Sequence, residues 1–246
     1  MQRDSWWNNI AVWCACVFLL MPTSVWAAAA TCVDAGAVEL HSAAPTDPLA
    51  TNYTKPAGDN QITFLGIGFR NGAGVTISGV TMNGNAMTAD TTFQYQGTLI
   101  GGNLYYYKNP PSGSVSMSVD FSGSVSQAHI IVWTCSNVDL TTFRSFSSAK
   151  GTSTAPAVTP ATVQTGDVVV DFIASDENAA NPTVGANQTE IHTGNTSTTN
   201  SGASYQAGAD GAAMTWTLGT SSHWVIFSYV VQSAPDVSRG RPVMFQ

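Results

Sequence analysis

Charge is scarce in this sequence of 246 residues: 9% are charged, eight of them basic and fifteen acidic. No run of Lys or Arg occurs anywhere, so a nucleic-acid backbone finds no electrostatic footprint here. Cysteine is rare, at four residues, and no His/Cys group has zinc-type spacing. No stretch after residue 30 sustains a 3.6-residue apolar period, which argues against helical folds. The G-x-S-x-G elbow of serine hydrolases is missing. Gly66-Ile67-Gly68 followed by Gly72 misses the dinucleotide fingerprint by one residue and lies in strand context. What is abundant instead is Ser, Thr, Asn and Gly among 43% hydrophobic residues.

The first thirty residues read as a signal peptide. Arg3 supplies a short basic n-region, and residues 10–21 (IAVWCACVFLLM) form an apolar h-region. That run is short for a membrane span, which needs about 20 apolar residues. Val25-Trp26-Ala27 offers small residues where a signal peptidase reads, so cleavage is expected near Ala27. A leader would remove one residue of each sign, Arg3 and Asp4, and leave the net charge at −7. The expected location is secreted, extracellular or periplasmic, with no membrane contact after cleavage. Cys32 and Cys135 then survive as a pair, and an oxidising compartment predicts one disulfide between them.

The rest of the chain reads as strands. Val115, Met117, Val119 and Phe121 alternate with Ser114, Ser116, Ser118, Asp120 and Ser122. A period of two puts the apolar set on one face and leaves the other face wet. Asn83-Gly84, between apolar positions, is a hairpin signal. Pro110-Pro111-Ser112-Gly113 is a turn. Residues 62–69 (ITFLGIGF), 128–135 (AHIIVWTC), 168–174 (VVVDFIA) and 223–231 (HWVIFSYVV) are nearly continuous apolar runs, as buried strands are. Residues 42–60, 143–165 and 194–202 (GNTSTTNSG) read as loops. Strands at such intervals predict an all-β fold, an antiparallel two-sheet β-sandwich of jelly-roll or Greek-key type. The expected organisation is a signal peptide at 1–30, one sandwich domain at 31–234 and a loose tail at 235–246.

VTMNGNAMTA, LYYYKNPPSGSVSMSVDFSG, GDVVVDFIAS and MTWTLGTSSHW follow one another in that order. This pattern resembles a widespread set of mostly uncharacterised β-sandwich proteins of secreted bacterial and phage-associated origin. The resemblance spans about residues 61–234 and implies fold and export. It supplies no catalytic residues.

Candidate chemistry is thin. His41, His129, His192 and His223 are scattered, and neither a triad nor a Cys135–His129 pair fits their spacing. Asp167 and Asp171 could serve a glycosidase only if brought about 5–10 Å apart around a sugar. Asp176-Glu177-Asn178 offers oxygen ligands of the kind Ca²⁺ accepts, but as a loop it reads first as a solvated turn. No cofactor or metal ligand set is expected. Tyr105, Tyr106 and Tyr107 are consecutive, and alternation puts Tyr105 and Tyr107 on one face. With Tyr95 on a neighbouring strand they are the candidate ligand-binding residues, as a platform for stacking sugar rings. The sequence therefore predicts a non-catalytic surface-binding protein with a glycan or cell-surface polymer as partner. A structural or adhesive role in an envelope or virion-like assembly, through self-assembly, is the alternative. A glycan-acting hydrolase is the second alternative.

Overall fold

Strands are the only regular elements among the residues described in this computed structural model, namely 29–33, 40–43, 48–70, 74–90, 94–96, 99–177, 180–196, 198–208 and 213–235. The expected leader, apart from its last two residues, and the tail beyond Pro235 lie outside them. The strands of the first half are Thr31–Val33 (β1), Leu40–Ala43 (β2), Leu49–Lys55 (β3), Ile62–Arg70 (β4), Ile77–Met82 (β5), Asn85–Ala86 (β6), Gln94–Gln96 (β7), Ile100–Lys108 (β8) and Gly113–Phe121 (β9). Those of the second half are Gln127–Ser136 (β10), Ser145–Ser153 (β11), Ala157–Val158 (β12), Val168–Ser175 (β13), Thr183–Val184 (β14), Thr189–Thr196 (β15), Thr199–Ala207 (β16), Met214–Thr217 (β17) and Ser222–Val231 (β18).

All pairings are antiparallel. They build four sheets where the sequence suggested two. Sheet one runs β1-β10-β4-β8-β7, with β2 also paired to β10. Sheet two runs β11-β18-β13-β16-β15. Two smaller sheets, β3-β9-β5-β6 and β12-β17-β14, are separate.

Alternation sorts the apolar side chains of these sheets into three cores. Phe64, Ile131 and Trp133 of sheet one meet Val170, Phe172, Val225, Phe227 and Tyr229 of sheet two in the first core. The intervening residues Leu65, Ile67, Ile130 and Val132 point the other way and meet Val80, Met82, Val115, Met117 and Val119 of the β3-β9-β5-β6 sheet. On sheet two, Val169, Ile173, Ile226 and Val230 point away from the first core and meet Val158, Met214 and Trp216 of the β12-β17-β14 sheet. Each large sheet is thus buried on both faces, which is why β4, β10, β13 and β18 carry continuous apolar runs. On β9, Val115, Met117, Val119 and Phe121 are buried, while Ser114 and Ser116 are exposed.

Local chemistry fixes several turns and contacts. Asn83 and Gly84 both take positive φ, 48° and 75°, and close the β5–β6 hairpin as a two-residue turn. Gly66 sits where a Cβ would stand 2.1 Å from the Phe172 ring, so β4 and β13 approach closely only because the side chain is absent. Cys32 and Cys135 are directly opposed on β1 and β10 and form a disulfide.

Three segments expected as loops contain strands: β3, β11 and the β15–β16 hairpin. Most telling is β16, whose residues Thr199 to Ser204 are all buried although most are small and polar. A Cβ on its Gly202 would stand 2.6 Å from the Trp216 ring. Small residues are needed there because the indole lies directly on the strand.

Candidate functional site

The candidate tyrosines lie on β8, whose Tyr105, Tyr106 and Tyr107 are opposed to Leu65, Phe64 and Thr63 of β4. Tyr105 and Tyr107 lean on the second core and Tyr106 on the first, and all three are half-buried. Burial raises the Tyr105 hydroxyl above its ordinary pKa. Tyr95 lies on β7 opposite Gly101, four residues along β8 from Tyr105. At about 3.3 Å per residue that is roughly 13 Å of strand. The backbone register therefore does not set Tyr95 opposite either tyrosine, and its side chain lies outside the described residues.

On its outer edge β8 is bridged at Tyr106 by Thr88, through N–H···O bonds of 3.0 and 2.8 Å. The Tyr106 ring packs edge-on against Phe143 at 4.7 Å and Tyr229 at 5.5 Å. Its hydroxyl donates to Asp90 Oδ1 at 3.3 Å, while the Asp90 amide donates to the Tyr229 hydroxyl at 3.0 Å. Burial lifts the pKa of both phenols. Lys108 Nζ stands 5.2 Å from the Phe143 ring centre and 5.8 Å from that of Tyr106, and donates to the Thr141 carbonyl at 3.0 Å. Asp139 accepts from the Thr141 amide and hydroxyl at 2.8 and 2.7 Å, which holds its carboxyl below the usual range. Tyr106, Phe143, the Lys108 ammonium and the Asp90 carboxylate thus gather on the first-core side of β8, opposite the side on which Tyr105 and Tyr107 lean. Phe143, Asp90 and Asp139 were not foreseen. Phe143 and Asp90 reach Tyr106 from distant segments, while Asp139 acts on Lys108, and no local pattern marks them.

The ionisable residues considered for catalysis go elsewhere. Asp167 and Asp171 do not converge. Asp167 receives Arg144 at 2.6 and 3.1 Å and the Gln164 amide at 2.8 Å. Asp171 is fully buried between sheet two and the β12-β17-β14 sheet, where it accepts from the Ser204 amide, the Ser204 hydroxyl and Trp216 Nε1 at 3.1, 2.6 and 2.6 Å. Burial pushes its pKa up to about 7 despite those donors. His129 is buried within β10. His223, partly exposed, has Nδ1 2.9 Å from Asp176 Oδ2, and its amide donates to Asp176 Oδ1 at 2.8 Å. Among the described residues, no group of three or more His, Cys, Asp or Glu side chains is placed to hold a metal ion. No helix there is long and apolar enough to cross a membrane.

No family model, curated protein or solved structure matches the chain.

Proposed function

We propose that this protein is an exported, non-catalytic binding module whose ligand is a glycan or another hydroxyl-rich cell-surface polymer. The observation that carries this reading is the pair of half-buried tyrosines, Tyr105 and Tyr107, on one face of β8. Rings held on a rigid strand lose little freedom on binding, and a tyrosine hydroxyl can bond a sugar hydroxyl. The carboxylates and imidazole considered for catalysis are engaged in structural bonds, notably Asp171 beneath Trp216 and Asp167 on Arg144. The disulfide suits a non-reducing compartment, and an N-terminal leader would deliver the chain there. The resemblance of the ordered motifs to those of secreted β-sandwich proteins implies export. The two large sheets facing each other across the first core read as the sandwich itself, to which the smaller sheets are added.

A glycan array on the mature protein tests this reading. Tyr105→Ala or Tyr107→Ala should weaken capture by about 1 kcal/mol or more with the melting temperature nearly unchanged. Tyr106→Ala should lower the melting temperature, because its ring packs on Phe143 and Tyr229. An array on which no glycan is retained, or retention indifferent to the tyrosines, overturns it.

A second reading is assembly by strand addition, favoured by β11. This nine-residue strand ends the order of sheet two, and its residues are half-buried or exposed. Concentration-dependent oligomers in sedimentation, abolished by a proline within β11, would support it.

A further inference from the structure

Three side-chain oxygens at one end of the third core are buried and have no hydrogen-bond partner among the described residues: Ser175 Oγ, Glu177 Oε2 and Asn200 Oδ1. The three residues are 0, 1 and 0% exposed. Ser175 and Asn200 are directly opposed on β13 and β16, so their side chains share a face, with Cβ atoms about 5 Å apart. It is the face on which Ile173 and Trp224 pack, and Trp224 is the partner of Ser175 on β18. Asn200 Nδ2 donates to the Ala180 carbonyl, which places Ala180 beside this pair. Glu177 lies two residues after Ser175. Its Oε1 is held by the Thr220 amide at 2.8 Å and the Thr220 hydroxyl at 3.4 Å.

Glu177 has no basic side chain against it among the described residues. The nearest candidate in sequence and register, His223, is paired with Asp176 instead. A carboxylate buried without a counter-charge is costly, and two more oxygens without donors add to the cost. A single cation that prefers oxygen, seated against the Ser175–Asn200 pair and reached by the Glu177 carboxylate, would relieve all three.

We propose that Glu177, Asn200 and Ser175 form a site for a hard divalent cation of the calcium class. Carboxylate and amide oxygens are the ligands such an ion takes, with water completing its shell, whereas zinc prefers nitrogen and sulfur. A single carboxylate makes the site weak, in the range of about 10⁻⁴–10⁻³ M typical of extracellular modules. The bound ion ties the ends of β13 and β16 to the turn before β18, and so clamps one end of the third core. The site is independent of the tyrosine pair, and its failure would leave the glycan reading untouched.

The test uses the whole chain stripped with chelator and titrated with Tb³⁺. Trp224 stands beside Ser175, so Trp-sensitised terbium emission is expected to rise several-fold and to be displaced by millimolar Ca²⁺. Millimolar Ca²⁺ should also raise the melting temperature by several degrees. Glu177→Gln keeps an acceptor for Thr220 but removes the charge, and it should abolish both effects. Asn200→Asp adds a charge and should tighten binding several-fold, which decides the matter if Glu177→Gln fails to fold. Melting indifferent to Ca²⁺, as an ordered water in the same place would give, overturns the proposal. So does terbium emission that survives Glu177→Gln, or affinity that Asn200→Asp leaves unchanged.

Discussion

Trp216 donates its indole N–H to Asp171 Oδ2 at 2.6 Å across 45 positions of sequence, and this bond fastens the β12-β17-β14 sheet to sheet two. The other carboxylate oxygen takes both donors of Ser204, whose hydroxyl also receives Gln188 Nε2 at 2.8 Å. Gln188 Oε1 in turn accepts the Thr215 amide at 2.7 Å. A polar chain therefore crosses an otherwise apolar interface.

This carboxyl makes stability depend on pH. Its pKa is about 7 in the folded protein against 3.8 for a free side chain. Below pH 3.8 it is protonated in both states. Between there and about 7 only the unfolded chain gives up the proton, so rising pH favours unfolding. Denaturation followed from pH 4 to 7 should show a loss of a few kcal/mol from this group, about 4 at most. Asp171→Asn should remove that part of the slope. Asp171→Ala should cost about 3 kcal/mol or more, since Trp216 and Ser204 keep buried donors without an acceptor. An unchanged pH slope in Asp171→Asn would show that other groups carry it.

The Gly66–Phe172 contact predicts a second measurable loss. A methyl group at Gly66 would meet the Phe172 ring at 2.1 Å, and strand and ring are both held by sheet pairing. Gly66→Ala should destabilise by about 1–3 kcal/mol in a denaturant titration. Gly66→Ala combined with Phe172→Leu should recover part of that loss. A Gly66→Ala protein as stable as its parent would mean that the two large sheets are not so closely apposed.

The disulfide closes a sequence separation of 103 residues. In the chain-entropy picture its removal costs on the order of 4–5 kcal/mol. Replacing both cysteines by serine should shift the denaturation midpoint accordingly, and non-reducing peptide maps should show the two cysteine peptides joined. Two thiols open to alkylation in the native protein would contradict the pairing.

Much of the strand content was legible because its signals are local. The β9 alternation, the Asn83-Gly84 turn and the four continuous apolar runs were each plain within ten residues or so. β16 was not, because turn chemistry and small-residue packing draw on the same amino acids. Its Thr, Asn, Ser and Gly are buried by Trp216 and by the opposing sheet rather than by their own hydrophobicity. β11 was hidden for a related reason: Ser145–Ser153 becomes a strand by pairing all nine residues with β18. On β8 the sequence indicated that neighbouring tyrosines face opposite ways, but it did not show that Phe143 and Lys108 join Tyr106.

By itself the sequence determined, for the strands it marked, which side chains share a face, since a period of two is a property of neighbouring residues. Tertiary structure alone decided which sheet each face meets. A run that is apolar on both sides, such as β4 or β13, states that it is covered twice and says nothing of what covers it. The same holds for the polar atoms. Asp171 was visible as a carboxylate inside an apolar strand, yet only the folding of Trp216 onto it made it a buried acid with a raised pKa. Pairing partners are chosen by burial and hydrogen bonding over the whole chain, and those terms have no local signature.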